Sequence, residues 1–529
     1  MGGMHMPRIY RPFITGVILL FAICILLVGC SESSGSGSGS GEQGSAQASA
    51  DEGQPQKGGE VAVAYNTDVS NYDPILGGSG GDHALLWPVF DTLISFNADL
   101  EPEPGLAESW EFPDDNTIQL NLREDVTFHD GTVFDAEAVR FNIERINSDE
   151  SKITDLENIE EVEVVDSQTI NLHLKQPDSS ILLALADRGG MMVSPTAVKE
   201  KGESFSEQPI GAGAYKMASR EPNGEIVLEA FEDYWKDNQP YLDKITIKVM
   251  GEENTRINAL KSGEVDLAYD ISPGNVQNLK NDANIVLKER TSVAFRKIYI
   301  NTSLAPFDIK EVRQAVLHGI DRESIIQAIN FGSGEIANQP FPEEYWAAGD
   351  MKIDYDPDKA RNLLKEAGAE TVSFSLIHHS NAYETRIAEA IQAQLKEIGI
   401  QVDLQAMELT AATAGYFSEK KAPALLSQWT GRPDPQMTMA NLFSGESFFN
   451  TGSHSTPEIE EFLLEAASTN DQTERAEIYS QMSEQGLLEE AVHIPLFFIT
   501  GVSAMTESVK GYEPTLLGKP VFTDIWKSE

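Results

Sequence analysis

Residues 104–145 read PGLAESWEFPDDNTIQLNLREDVTFHDGTVFDAEAVRFNIER, and two periodicities share that one stretch. Thr117 to Glu124, TIQLNLRE, alternates apolar and polar residues with period two, the pattern of a half-buried strand. From Asp135 to Asn147 the apolar positions Val139, Ile143 and Ile146 recur at helical spacing. Asp135 has the side chain to cap that helix, and Phe134 just before it pairs with Val139 as a hydrophobic staple. A strand feeding a capped helix is a building unit of an α/β protein.

The same grammar extends outward in both directions. EVAVAY (60–65) alternates like an opening strand, and TINLHLK (169–175) repeats the period-two pattern. ENTRINALKSGEVDLAY (253–269) reads as a helix, Gly263 as its stop, and a strand over Val265 to Tyr269. In DPDKARNLLKEAG (356–368), Asp356 is the cap, Pro357 the first helical residue and Gly368 the end. ETRIAEAIQAQLKEIGIQVDLQAM (384–407) is another helix-to-strand unit, with Ile387, Ile391, Leu395 and Ile398 on one face. Sheets covered by helices are therefore expected, with no internal repeat.

The chain has 529 residues, which at about 100–200 residues per domain implies roughly two to four domains. A formal net charge of -45 repels nucleic acid and anionic lipid, and reads as a solvated acidic shell. Its only cysteines are Cys24 and Cys30, so nothing after residue 30 forms a disulfide, a thiolate zinc site or a cysteine nucleophile. No calcium-loop spacing, G-x-S-x-G elbow or H-E-x-x-H motif is present, which speaks against an enzyme; neither a cofactor nor a metal is expected.

The first 30 residues read as an export signal. Arg8 and Arg11 form a basic start, and Phe13 to Gly29 is an apolar run without charge that ends in small residues. It closes on Leu27-Val28-Gly29-Cys30, which resembles the lipobox of bacterial lipoproteins. That resemblance implies a signal peptide over 1–29, lipid attachment at Cys30 and a membrane-anchored protein on the extracytoplasmic face. Residues 31–57 are rich in Ser, Gly, Gln and Ala, so 30–57 is expected to be a flexible tether.

Four further segments carry a second resemblance. They are 104–145 itself, with its Leu-Ala-x-Ser-Trp start and Phe-His-Asp-Gly centre; PIGAGAYKM, FEDYWKD and ALKSGEVDL within 209–267; APFDIKEVRQAVLHGIDRESII (305–326); and YDPDKARNLLKEAG (355–368). In this order and spacing they resemble the family 5 extracellular solute-binding proteins, which serve oligopeptide, dipeptide, glutathione and nickel importers of the ATP-binding cassette type. The resemblance implies a two-lobed, type II periplasmic-binding-protein (Venus flytrap) fold with an extra subdomain. Lobe I would comprise 58–85, 208–290 and 496–529, its subdomain 86–207, and lobe II 291–495, with chain crossings near 290 and 495. Such a monomer closes on solute and presents the closed form to permease subunits.

Site residues follow from SQWTGRPDPQMTMANLF (427–443), rich in turn formers and holding Trp429, Arg432 and Asp434 within six residues. In peptide-binding relatives the Asp of a matching Asp-Pro segment pairs with the ligand's α-amino group, so Asp434 is the expected ammonium anchor. The alternative is an Asp that caps the following helix. Dipeptide-binding relatives place an arginine for the ligand carboxylate before the helix matching 386–398. Here that neighbourhood is IHHSNAYET (377–385), and His378 and His379 are candidates for ligand contact, for a structural role or for a metal chelate. As neighbours on a strand they would face opposite ways, which is poor chelating geometry. Tyr65 is a candidate for the cleft lining or the core, while His129 is expected to be structural and Trp87, Trp110 and Trp235 to pack. Peptides or glutathione-like γ-peptides lead as ligands. Nickel chelates, oligosaccharides and opine-like solutes remain open, as does a sensor or chaperone role on the same fold.

Overall fold

In the computed structural model of the chain, the described residues are 54–77, 80–369 and 371–528. The leader, Cys30 and all but the last few residues of the tether lie outside them. The 104–145 stretch folds as read. Thr117–Leu122 is a strand whose Ile118, Leu120 and Leu122 are buried while Gln119 and Asn121 are half-exposed. It pairs antiparallel with Ala107–Asp114 and Thr169–Leu174, and Ile159–Val164 completes a four-stranded sheet. The helix Ala136–Ile146 starts where Asp135 accepts the Ala138 N–H at 2.9 Å. Phe134, Val139, Ile143 and Ile146 share one core with Ile118, Leu120, Ile170 and Leu172.

The larger sheet has ten strands. Their spatial order is Ile400–Met407, Val372–His379, Ala424–Trp429, Ile285–Ile300, His493–Thr506, Leu267–Ala268, Glu60–Tyr65, Lys244–Val249, Glu225–Ala230 and Tyr215–Arg220. Glu60–Tyr65 runs parallel to Lys244–Val249, and Val372–His379 runs parallel to Ile400–Met407 and Ala424–Trp429. Parallel pairs need crossovers, and the helix Ala382–Glu397 supplies one. That helix begins four residues before Arg386, because Asn381 caps it by accepting the Glu384 N–H at 2.8 Å. Of the strand expected over 265–269, only Leu267–Ala268 is retained, held between Glu60–Tyr65 and His493–Thr506.

Two long antiparallel strands, Ile285–Ile300 and His493–Thr506, join the two halves of this sheet. Their register breaks in the middle: Thr291 pairs with Thr500 and Phe295 with Phe498, so Ser292–Ala294 oppose Ile499 alone. Such a bulge bends and twists the strand that carries it. The backbone groups freed here find other partners. Val293 N–H donates to Leu516 O at 2.7 Å, and Ser292 Oγ donates to Ile499 O at 2.8 Å.

His129 ties the smaller sheet's neighbourhood to the PIGAG segment. Gly213 O lies 2.8 Å from its Nε2, and the Gly211 N–H approaches its Nδ1 at 3.4 Å, so the ring fits as the neutral Nε2–H tautomer. Burial pushes its pKa down to about 4. Both glycines are sterically required, since a Cβ at Gly211 would stand 2.1 Å from Val89 O and one at Gly213 2.5 Å from Val89 C.

Candidate functional site

The bulge at Ser292–Val293 brings two distant segments together. Gly431 (φ +74) packs on Val293, where a Cβ would lie 2.6 Å from Val293 Cγ2. Gly518 (φ +70) packs on Ser292, where a Cβ would lie 2.8 Å from Ser292 Cβ. Both positions need the left-handed backbone that glycine adopts without strain. Each is followed at once by a cation, Arg432 after the strand Ala424–Trp429 and Lys519 in the C-terminal segment. Tyr269 Oη donates to Gly518 O at 2.8 Å and stacks on Tyr65, ring centroids 5.2 Å apart. Tyr65 Oη in turn donates to Gly81 O at 2.9 Å.

The charges here are unevenly matched. Arg432 stands 5.1 Å from the Trp429 ring and 5.9 Å from the Phe449 ring, and its Nη1 donates to Gly431 O at 3.2 Å. Among the described residues no carboxylate lies within ion-pair distance of it. Lys519 has Asp187 Oδ2 at 3.8 Å, and its side chain is only 12% exposed. Burial pushes the Lys519 pKa down to about 8; Arg432 and Arg188 push the same way, against Asp187 and Asp155.

Asp187 also meets His83 Nε2 at 2.7 Å, while His83 Nδ1 lies 3.1 Å from Gly80 O. Burial disfavours ionisation of Asp187, but His83, Lys519 and Arg188 together outweigh it and hold the carboxyl well below its usual range. Both ring nitrogens of His83 face acceptors, which the imidazolium alone satisfies, whereas burial lowers its pKa. Asp155 is the counterpart of Arg432. Burial raises its pKa, Arg432 is the leading opposing influence, and its carboxylate has no hydrogen bond or ion pair among the described residues.

Segments distant in sequence meet near this site. Ser179 N–H and Oγ donate to Ala467 O and Ala466 O, at 2.9 and 2.8 Å. Met437 is buried in the core of the smaller sheet. A Cβ at Gly80 would lie 4.0 Å from Thr430.

The sequence-derived candidates divide accordingly. Arg432 and Trp429 are together, with Trp429 fully buried as the wall behind the guanidinium. Asp434 has the geometry of the helix-cap alternative. It is 2% exposed, accepts the Gln436 N–H at 2.7 Å as cap of the helix Pro435–Phe443, and pairs with Arg475 Nη2 at 2.5 Å. Burial raises its pKa and Arg475 opposes this. A protein cation already stands beside that carboxylate. Tyr65 is buried and braces the loop at Gly81 rather than presenting an open face.

His378 is 1% exposed with Nδ1 2.9 Å from His379 O, and His379 Nδ1 meets Asn381 Nδ2 at 2.8 Å. No hydrogen bond, ion pair or ring contact among the described residues joins either to Trp429 or Arg432. No group of three or more His, Cys, Asp or Glu residues among the described ones is placed to hold a metal ion. Sequence reasoning missed His83, Asp155, Asp187 and Lys519. The one local trace was the Gly-Lys of 518–519, the same dipeptide logic as the Gly-Arg of 431–432.

A mixed sheet joined by two long strands, with charges gathered at the join, defines a two-lobed type II solute-binding protein. Residues 101–450 match the model for the middle region of bacterial extracellular solute-binding proteins, family 5, and the chain belongs to that family. It is 29% identical over 473 residues to the glutathione-binding protein GsiB of Shigella flexneri, covering 86% of this chain and 91% of that one. Among solved structures it resembles the periplasmic binding protein DppA of Helicobacter pylori in complex with the peptide STSA. That match has a TM-score of 0.79 and 25% identity, over 90% of this chain and 99% of that one. NikZ of Campylobacter jejuni in complex with Ni(L-His) matches with a TM-score of 0.77 and 25% identity, over 88% of this chain and 99% of that one. No helix among the described residues is long and apolar enough to cross a membrane.

Proposed function

We propose that this chain is a peptide receptor for an ATP-binding cassette importer, capturing di- or oligopeptides or glutathione-like γ-peptides between its lobes and delivering them to the permease subunits. One observation carries the reading: Arg432 and Asp155, opposite charges within electrostatic reach of each other, are both without an ion-pair partner among the described residues. A zwitterionic solute satisfies both at once, with its ammonium on Asp155 and its carboxylate toward Arg432. The named relatives support the same class, one binding glutathione and one holding a tetrapeptide.

Lobe I would comprise 58–85, 208–290 and 496–529 with the subdomain 86–207, and lobe II 291–495, the bulge at Ser292–Ala294 acting as hinge. Closure follows from the ligand's differential affinity for the closed state. A lipid on Cys30 and the Ser/Gly-rich tether would keep this monomer beside its permease, on the extracytoplasmic side. A thermal-shift panel on the full chain tests the reading with di- to pentapeptides, glutathione, nickel with and without histidine, and cello-oligosaccharides. Ligand at about 100 times its Kd stabilises by roughly 2.7 kcal/mol, a shift of a few degrees. Shifts confined to peptides or glutathione support the proposal; shifts only with sugars or nickel overturn the substrate class.

A further inference from the structure

Arg432 and Lys519 come from opposite sides of the crossing, yet both follow a left-handed glycine, and those glycines pack on consecutive residues of the bulge, Val293 and Ser292. Two like charges brought so near repel each other, and neither is fully compensated by the protein. Arg432 has aromatic rings behind it and, among the described residues, only the Gly431 carbonyl as a hydrogen-bond partner. The nearest carboxylate oxygen to Lys519 is at 3.8 Å, on Asp187, which has a shorter contact to His83 at 2.7 Å. Buried cations persist when a counter-charge arrives to complete them, and a planar carboxylate suits a guanidinium fork on one side and a point ammonium on the other.

Resting on the peptide-receptor reading, we propose that Arg432 and Lys519 form a carboxylate clamp that takes one acidic end of the ligand from both sides of the cleft. The ligand class is thereby narrowed to solutes with a free carboxylate. Because the two cations belong to different lobes, the anion also draws the lobes together.

The clamp has a pH signature. The groups facing Lys519 are Asp187, Arg188, Asp155 and Arg432, with His83 acting through Asp187. With its pKa pushed down to about 8, Lys519 is charged below that pH and neutral above it. A bound carboxylate favours the charged amine, so binding takes up a proton near pH 8 and affinity falls as the pH rises past it.

The test is isothermal titration of the full chain with tri-alanine and with tri-alanine amide, in wild type, Arg432→Gln, Lys519→Met and Lys519→Arg, with melts recorded to confirm folding. The wild type is expected to prefer the acid over the amide by at least about 30-fold. Arg432→Gln and Lys519→Met should each erase most of that preference, weakening the acid far more than the amide. Lys519→Arg should keep the preference but flatten its fall between pH 7 and 9.5, since a guanidinium stays charged. Peptide binding with no acid-over-amide preference, or variants that weaken acid and amide equally, overturns the clamp while the receptor reading stands. A wild type that binds neither probe overturns the clamp for tripeptides, and the thermal-shift panel then decides the receptor reading.

Discussion

Arg432 and Asp434 sit two residues apart in one loop and have opposite fates. Asp434 is enclosed, caps a helix and pairs with Arg475, so the protein itself completes its charge. Arg432 lies on an aromatic wall beside the bulge of the strand Ile285–Ile300, with no carboxylate partner among the described residues. Burial alone therefore does not mark a binding residue. The distinction lies in whether folding has already supplied the partner, because a matched buried ion pair resists exchange while an unmatched one gains from a ligand.

The largest effect should come from breaking the matched pair. Asp434→Ala strands the Arg475 guanidinium in a dry setting, and equilibrium unfolding in urea should show a loss of about 3–5 kcal/mol. A loss below about 1 kcal/mol would mean that Arg475 finds water or another partner, which would undercut the contrast with Arg432.

His129 extends the comparison to a second group completed by the fold. Its native pKa of about 4 lies below the 6.5 usual for histidine, so between those values the unfolded chain binds a proton that the native state refuses. Its contribution is therefore complete above about pH 6.5 and is lost as the pH falls toward 4, amounting to roughly 3 kcal/mol. Unfolding free energies measured from pH 7 to 4 should fall less steeply in His129→Gln than in wild type. Equal slopes would show that the ring is protonated as easily in the folded protein as outside it. The smallest effect on stability belongs to Arg432→Gln, no more than about 1 kcal/mol, the worth of a partly exposed cation–π contact.

Local grammar was legible in the sequence. The alternation in 117–122, the Asp135 and Asp356 caps and the apolar stripe of Ile387, Ile391 and Leu395 depend on near neighbours, and the structure reproduces them. The short strand Leu267–Ala268 was read too long because its length depends on the flanking strands, which come from both ends of the chain. The site was harder for the same reason. Asp434 has the right chemistry for an ammonium, but its partner Arg475 lies 41 residues away on another helix. Asp155, Asp187 and Lys519 belong to segments with no shared motif, and the bulge with its two packed glycines brings Lys519 near Arg432.

The most direct measurement sets Arg432→Gln beside Asp434→Asn, recording for each the thermal melt and the affinity for tri-alanine. The account predicts a separation: Arg432→Gln melts within a degree or two of wild type yet binds at least about 30-fold more weakly, whereas Asp434→Asn loses several degrees of Tm. The contrary result, with Asp434→Asn folding normally but failing to bind and Arg432→Gln binding as wild type, would return the ligand anchor to Asp434 and remove Arg432 from the site.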